Sequence, residues 1–201
     1  MDLATQDIFL ENETVLLRRL KADDYQYLEK FVLFEPEIWQ FSLVSLTNIK
    51  ELKQYIDTAL KLYAQGTEYP FIVFDKQSEQ YAGCTRFYDI QTTNKTLQLG
   101  YTWYGKDFQG TGLNKNCKFL LLQFAFEELQ MERIEFRADN RNKKSIAALK
   151  SIGCTQEGIL RSHLLLPTGE RRDSIVLSIL KKEWSTGVKE NLIKKISLCN
   201  K

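Results

Sequence analysis

Two periods of apolar residues meet in the middle of the chain. Leu97, Leu99 and Tyr101 alternate with Gln98, Gly100 and Thr102, the period of two expected of a half-buried strand. Leu113, Cys117, Leu120, Leu121 and Phe124 then recur at helical spacing. Between the two patterns lies Phe108-Gln109-Gly110-Thr111-Gly112-Leu113-Asn114-Lys115. The stretch predicts strand, glycine-rich turn and helix, with Gly110 and Gly112 free to take conformations that other residues resist.

The rest of the chain is arranged around that unit. Thr14 to Leu20 reads as a first strand, and Asp23 or Asp24 can cap a helix that turns Tyr27, Leu28 and Phe31 inward. Pro36 interrupts the pattern, and Phe34, Ile38, Trp39 and Phe41 follow no clear period. Thr47 is placed to cap a second helix with Ile49, Leu52, Ile56, Leu60 and Tyr63 on its apolar face, ending at Gly66. The unbroken run Phe71-Ile72-Val73-Phe74 suits a strand buried on both faces. Tyr81 to Ile90 predicts the next strand, with Gly83 a bulge or a point of close backbone approach. After the central helix, Arg133 to Arg137 alternates as a strand, and a short helix follows with Ile146, Leu149 and Ile152 inward and Gly153 at its end. Gly158–Leu166 and Asp173–Leu180 make a closing strand pair around the turn Pro167-Thr168-Gly169-Glu170. The lysine-rich tail carries a weak amphipathic helix through Val188, Leu192, Ile193 and Ile196, a peripheral element suited to packing or to a homodimer contact. This order of strands and helices is an α+β order in one domain.

Composition narrows the classes. The 201 residues, 43% of them hydrophobic, suffice for one sizeable core. A formal charge of +2 argues against a nucleic-acid partner. No apolar run is long enough to span a membrane, and the acidic start Met1 to Asp7 lacks the order of a signal peptide. Cys84, Cys117, Cys154 and Cys199 are far apart and there is one histidine, so no metal site is expected. A reducing cytoplasm is the expected setting.

The glycine turn is the candidate for chemistry. A helix entered through such a turn offers backbone N–H groups and the positive end of its dipole, which suits a phosphate or pyrophosphate. It is neither a P-loop nor a dinucleotide fingerprint, because Gly-Lys-Ser/Thr is absent and position 115 is Lys. On two glycines alone, a plain strand-to-helix turn explains the stretch equally well.

Taken together, the motifs resemble the GCN5-related N-acetyltransferases, in the branch that includes ribosomal-protein N-terminal alanine acetyltransferases. The family signature Arg/Gln-x-x-Gly-x-Gly/Ala reads here Gln109-Gly110-Thr111-Gly112-Leu113-Asn114, departing at Asn114. The opening Val15 to Leu20 with Asp23-Asp24, then Arg133-Ile134-Glu135, Asn142-Lys143-Lys144-Ser145, Ile152-Gly153, Glu157 to Arg161 and Arg172-Asp173-Ser174 with Trp184 are similar in order and spacing. The resemblance implies one acetyltransferase domain over residues 13–184 with residues 185–201 as tail. It implies a mixed, mostly antiparallel sheet splayed at the cofactor site and flanked by helices. The implied reaction moves an acetyl group from acetyl-CoA, as co-substrate, directly to a primary amine of a small molecule or a peptide N-terminus.

Site roles follow from the same resemblance. Gln109, Gly110, Thr111, Gly112, Leu113 and Asn114 would hold the pyrophosphate. A backbone N–H of Tyr101, Thr102 or Trp103 would polarise the thioester carbonyl. Asn142 would contact the cofactor arm, and Ser145 would both touch it and protonate the leaving thiolate, although both residues also suit helix capping. The base is open. Relatives carry Glu where this chain has Gln98 or Leu164, leaving His163 or a chain of water molecules. Neighbouring strand residues face opposite sides, so His163 can also face away from the site. Tyr88 and Trp103, with Phe87 more suited to the core, can line the acceptor groove. The missing carboxylates leave a second reading, a CoA-binding sensor or scaffold that keeps the fold without turnover.

Overall fold

The alternating and continuous apolar runs assemble into a single sheet. The structure, a computed structural model, describes residues 6–199. The first part of the acidic N-terminal stretch, residues 1–5, and the end of the tail, Asn200 and Lys201, lie outside the described residues. The strands are β1 (Phe9–Glu11), β2 (Val15–Arg19), β3 (Tyr69–Asp75), β4 (Gln80–Gln91), β5 (Thr96–Tyr104), β6 (Arg133–Asp139), β7 (Thr155–Leu165) and β8 (Arg171–Leu180). They lie in the order β1-β2-β3-β4-β5-β6-β8-β7. Every pairing is antiparallel except β5 with β6. The helices are α1 (Tyr25–Phe34), α2 (Ile49–Ala64), α3 (Leu113–Gln123), α4 (Lys143–Ser151), α5 (Lys181–Glu183) and α6 (Lys189–Cys199).

The β5–β6 pair sets up the site. It is recorded only for Thr96–Gln98 against Arg133–Glu135. Beyond Gln98 and Glu135 the two strands part, and β5 runs on to Tyr104 paired with β4 alone. The strict alternation read for β5 stops at the same place. Tyr101 has φ +49°, a left-handed backbone that side-chain-bearing residues seldom adopt, and the β4–β5 register shifts between Cys84 and Arg86. Gly83 sits opposite this bulge, and a Cβ there would lie 2.1 Å from the Trp103 carbonyl oxygen, so only glycine fits.

Packing explains the remaining departures from the sequence reading. Tyr27, expected inward, is 49% exposed and stacks on Tyr81. Asp24 makes no side-chain cap on α1; it is buried in an ion pair with Arg18 at 2.7 Å and accepts from the Lys21 N–H. The cap of α2 is Asn48, whose side chain accepts from Glu51 N–H at 3.0 Å, while Thr47 holds the Glu51 carboxylate. Strand β1 carries too few residues to show a period. The tail lies against α3 with Leu192 buried, and just before it the buried Trp184 donates from Nε1 to Glu127 at 2.8 Å.

Candidate active site

Because β5 and β6 run parallel, their C-terminal ends open at the same end of the sheet, the place where open sheets bind ligands. The glycine turn and α3 follow β5 there, and α4 follows β6. Two helix N-termini therefore flank the gap between the strands. They are tied together: Lys144 on α4 donates to Gln109 Oε1 at 2.5 Å, and Gln109 Nε2 donates to the Tyr104 carbonyl at 2.8 Å.

The turn has the form that an anion seat requires. Gly110 has φ +85° and Gly112, at the cap of α3, has φ +93°. A Cβ at Gly110 would meet nothing within 4 Å, so that side of the turn is open to a ligand. Thr111 faces back into the turn, its hydroxyl donating to the Phe108 carbonyl at 3.0 Å and accepting from Leu113 N–H at 3.4 Å. Asn114, at the position where the signature has Gly or Ala, is half-buried. A cavity of about 520 Å³ reaches Thr111 and Leu113 from the side of α1 and the β3–β4 turn.

Asn142 caps α4, its Oδ1 accepting from Ser145 N–H at 2.9 Å. The capping expected of Asn142 is therefore present, and the Ser145 side chain lies half-buried one turn into the helix at the mouth of the gap. Tyr101 and Thr102 lie on the stretch of β5 that has left β6. Trp103 turns its ring into the core, 4.9 Å from Trp39 and 5.9 Å from Phe31 between ring centroids. Phe87 is fully buried.

The other side of the gap is a polar face. Arg133, Glu135 and Arg137 alternate with buried Ile134, Phe136 and Ala138. The register sets Gln98 beside Glu135 and Tyr88 beside Gln98, so these side chains share that face. His163 joins them. Its Nδ1 lies 3.0 Å from Ser174 Oγ and its Nε2 3.5 Å from Arg137. The β7–β8 register shifts between Leu160 and Leu164, with Ser162 at φ +51°, and this turns His163 toward the site. Burial first, then Arg137, Arg172 and Arg171, pull its pKa below the ordinary histidine value. Tyr88 packs on Gly100 and meets Tyr101 edge to face at 5.1 Å. Burial raises both phenols, so they remain protonated donors at neutral pH.

Several residues at the site escaped the sequence reading. Gln98 is buried and donates to Asp89 at 2.8 Å, and among the described residues its Oε1 has no hydrogen-bond partner. Asp89 and Glu135 thus place carboxylates where the gap begins, although positions 98 and 164 carry none. Asp89 falls in an irregular stretch of β4 at φ +48°, so alternation could not aim it. Arg86 pairs with Glu68 at 2.7 Å, both buried, and lies 4.2 Å from the Tyr101 ring centroid. Lys118 on α3 is 3% exposed and donates to Thr102 Oγ1 at 2.7 Å, and burial pulls it down to about 8. Its neighbour Cys117 marked the apolar face, and a lysine one step along the helix reads as solvent-facing.

Known proteins share this fold. Residues 14–155 match the family described as Acetyltransferase (GNAT) domain. The Bacillus subtilis (strain 168) protein named "Putative ribosomal N-acetyltransferase YdaF" is 33% identical over 179 residues, which are 86% of this chain and 94% of that protein. A GCN5-related N-acetyltransferase from Brucella melitensis superposes with a TM-score of 0.87 at 23% identity, covering 96% of this chain and 87% of that one. The ribosomal-protein-S5-alanine acetyltransferase of Vibrio fischeri gives 0.73 at 21% identity, covering 89% and 99%. Two helix N-termini at the mouth of a splayed parallel pair, on a chain matched over most of its length, lead to one conclusion: the chain belongs to the acetyltransferase (GNAT) family.

Proposed function

We propose that the chain transfers an acetyl group from acetyl-CoA directly to a primary amine of a small molecule or a peptide N-terminus. The observation that carries the proposal is the opening of β5 from β6 beyond Gln98 and Glu135, with the N-termini of α3 and α4 at its mouth. The turn Gln109–Asn114 suits the pyrophosphate, since Gly110 leaves its outer side open and the α3 dipole favours negative charge there. Asn142 and Ser145 stand at the α4 side, where Ser145 gives a proton to the departing thiolate. A backbone N–H of Tyr101, Thr102 or Trp103, on the unpaired side of β5, stabilises the charge that develops on the carbonyl oxygen. The amine approaches over the polar face, past Tyr88. His163, neutral at physiological pH, takes its proton. The unit that does this is residues 13–184.

The sensor reading is the alternative to this proposal. It rested on the absence of carboxylates at positions 98 and 164, and the polar face carries Asp89 and Glu135 nearby. Thiol release from acetyl-CoA across a panel of small amines and peptides tests the proposal. Turnover with at least one amine is expected. Tight acetyl-CoA binding with no turnover on any acceptor would replace the enzyme by the sensor.

A further inference from the structure

Besides Arg133, three arginines near the acceptor groove are matched by a carboxylate. Arg86 is paired with Glu68 at 2.7 Å, Arg137 with Glu135 at 2.7 Å and Arg141 with Asp139 at 2.9 Å. Arg172 is the exception. It is 5% exposed, and among the described residues it forms no ion pair. Its recorded hydrogen bond runs from Nε to Ser174 Oγ at 3.1 Å, which leaves the two terminal nitrogens of the fork to find acceptors elsewhere. Asp139 is the carboxylate within its electrostatic reach, and Arg141 already grips both oxygens of Asp139. A cation this deeply buried is ordinarily paired.

Its surroundings say what would pair with it. Tyr88 and Tyr101, the aromatic pair of the groove, are its electrostatic neighbours, and the Ser174 hydroxyl that it holds also contacts His163. The three matched pairs are held by their carboxylates, which leaves Arg172 as a buried planar donor fork with none. That fork fits a carboxylate in two parallel hydrogen bonds.

We propose that Arg172 seats a carboxylate of the acceptor, so that the amine acetylated by this chain is a small amino-acid-like molecule carrying a carboxylate beside its amine. The inference rests on the amine-acetylation reading above. It favours a free amino acid or similar compound over a protein N-terminus, which presents an amide where the carboxylate would be.

The test uses paired acceptors, L-serine against L-serinamide and L-alanine against L-alaninamide, each with acetyl-CoA and the full chain, with rates compared per unprotonated amine because the amide also lowers the basicity of the amine. A charge-assisted pair of this kind predicts that the acids exceed their amides in kcat/KM by roughly tenfold to a hundredfold. In Arg172→Gln that ratio collapses toward unity through loss on the acids, and in Arg172→Lys it is partly kept. Equal rates for acid and amide in the unmodified chain overturn the carboxylate seat, and so does an Arg172→Gln variant that loses equally on both. No turnover of any amine, with acetyl-CoA bound, instead overturns the acetyltransferase reading and this inference with it.

Discussion

Replacing Lys118 by Met tests how the fold holds a buried charge beside β5. The ammonium is buried on α3 with two threonine hydroxyls for company, Thr102 at 2.7 Å and Thr85 at 3.5 Å, and among the described residues no carboxylate pairs with it. Burial lowers its pKa from 10.5 to about 8. The sign follows directly. Between those values the unfolded chain binds a proton that the folded chain does not, so stability rises with pH across that window. Below pH 8 both states are protonated and the fold bears the full cost. At about 1.4 kcal/mol per pH unit, that cost is about 3 kcal/mol at pH 7 and nearly gone at pH 10.5. Met fills a similar volume, and the two hydroxyls already lie 2.8 Å apart and can satisfy each other. Packing and hydrogen-bond changes do not vary with pH, so the difference between the two proteins isolates the titration. Urea unfolding followed by fluorescence of the buried Trp39, Trp103 and Trp184 should show the advantage of Lys118→Met over wild type shrinking by about 3 kcal/mol from pH 7 to pH 10.5. A difference that stays constant across that range would refute the buried-charge account.

Further outcomes follow from the site. Gly112→Asp should abolish acetyl-CoA binding, measured by calorimetry, with the fold intact by circular dichroism, because a carboxylate at the α3 N-terminus repels the pyrophosphate; unchanged affinity would remove the turn from the cofactor site. Ser145→Ala should lower kcat roughly ten- to a thousandfold with little change in acetyl-CoA affinity; an unchanged kcat in single turnover would leave Ser145 a helix residue only. Because burial and then the neighbouring arginines hold His163 below 6.5, kcat at saturating acceptor should fall only as pH drops below that value, and His163→Gln should lower kcat and erase this acid limb. Incubation with radiolabelled acetyl-CoA and no acceptor should leave no label on the denatured protein, since Cys84, Cys117 and Cys154 are buried and their thiols raised, Cys117 and Cys154 to about 12; stoichiometric label that chases to the amine would establish a covalent route.

Much of the fold was legible because its elements obey one period each. Phe71 to Phe74 has apolar neighbours on both faces and reads as a buried strand, and the closing pair β7–β8 is marked by its turn at Pro167–Glu170. What the pattern missed was decided by tertiary partners. Tyr27 lies on the apolar stripe of α1 by spacing, yet it finds Tyr81 outside the core. Asp24 stands where a cap belongs, but Arg18 on the neighbouring strand takes it instead. A helix cap and an ion pair require the same side chain, and only the fold decides which partner arrives.

The site was legible in its turns and illegible in its faces. Glycines at 110 and 112, and Asn142 three residues before Ser145, are local signals, since a left-handed turn and a helix cap are properties of a few consecutive residues. The polar face is assembled across five strands, and its composition depends on where alternation breaks. Tyr101 at φ +49°, Asp89 at φ +48° and Ser162 at φ +51° each interrupt a strand within this region. Each interruption re-aims the side chains after it, which is how His163 comes to lie against Ser174 rather than on the opposite face. Strained backbone of this kind persists only where surrounding packing holds it, and here it gathers where β5 leaves β6. The breaks that defeat sequence periodicity are therefore the same breaks that open the sheet and gather Tyr88, Arg172 and His163 around one groove.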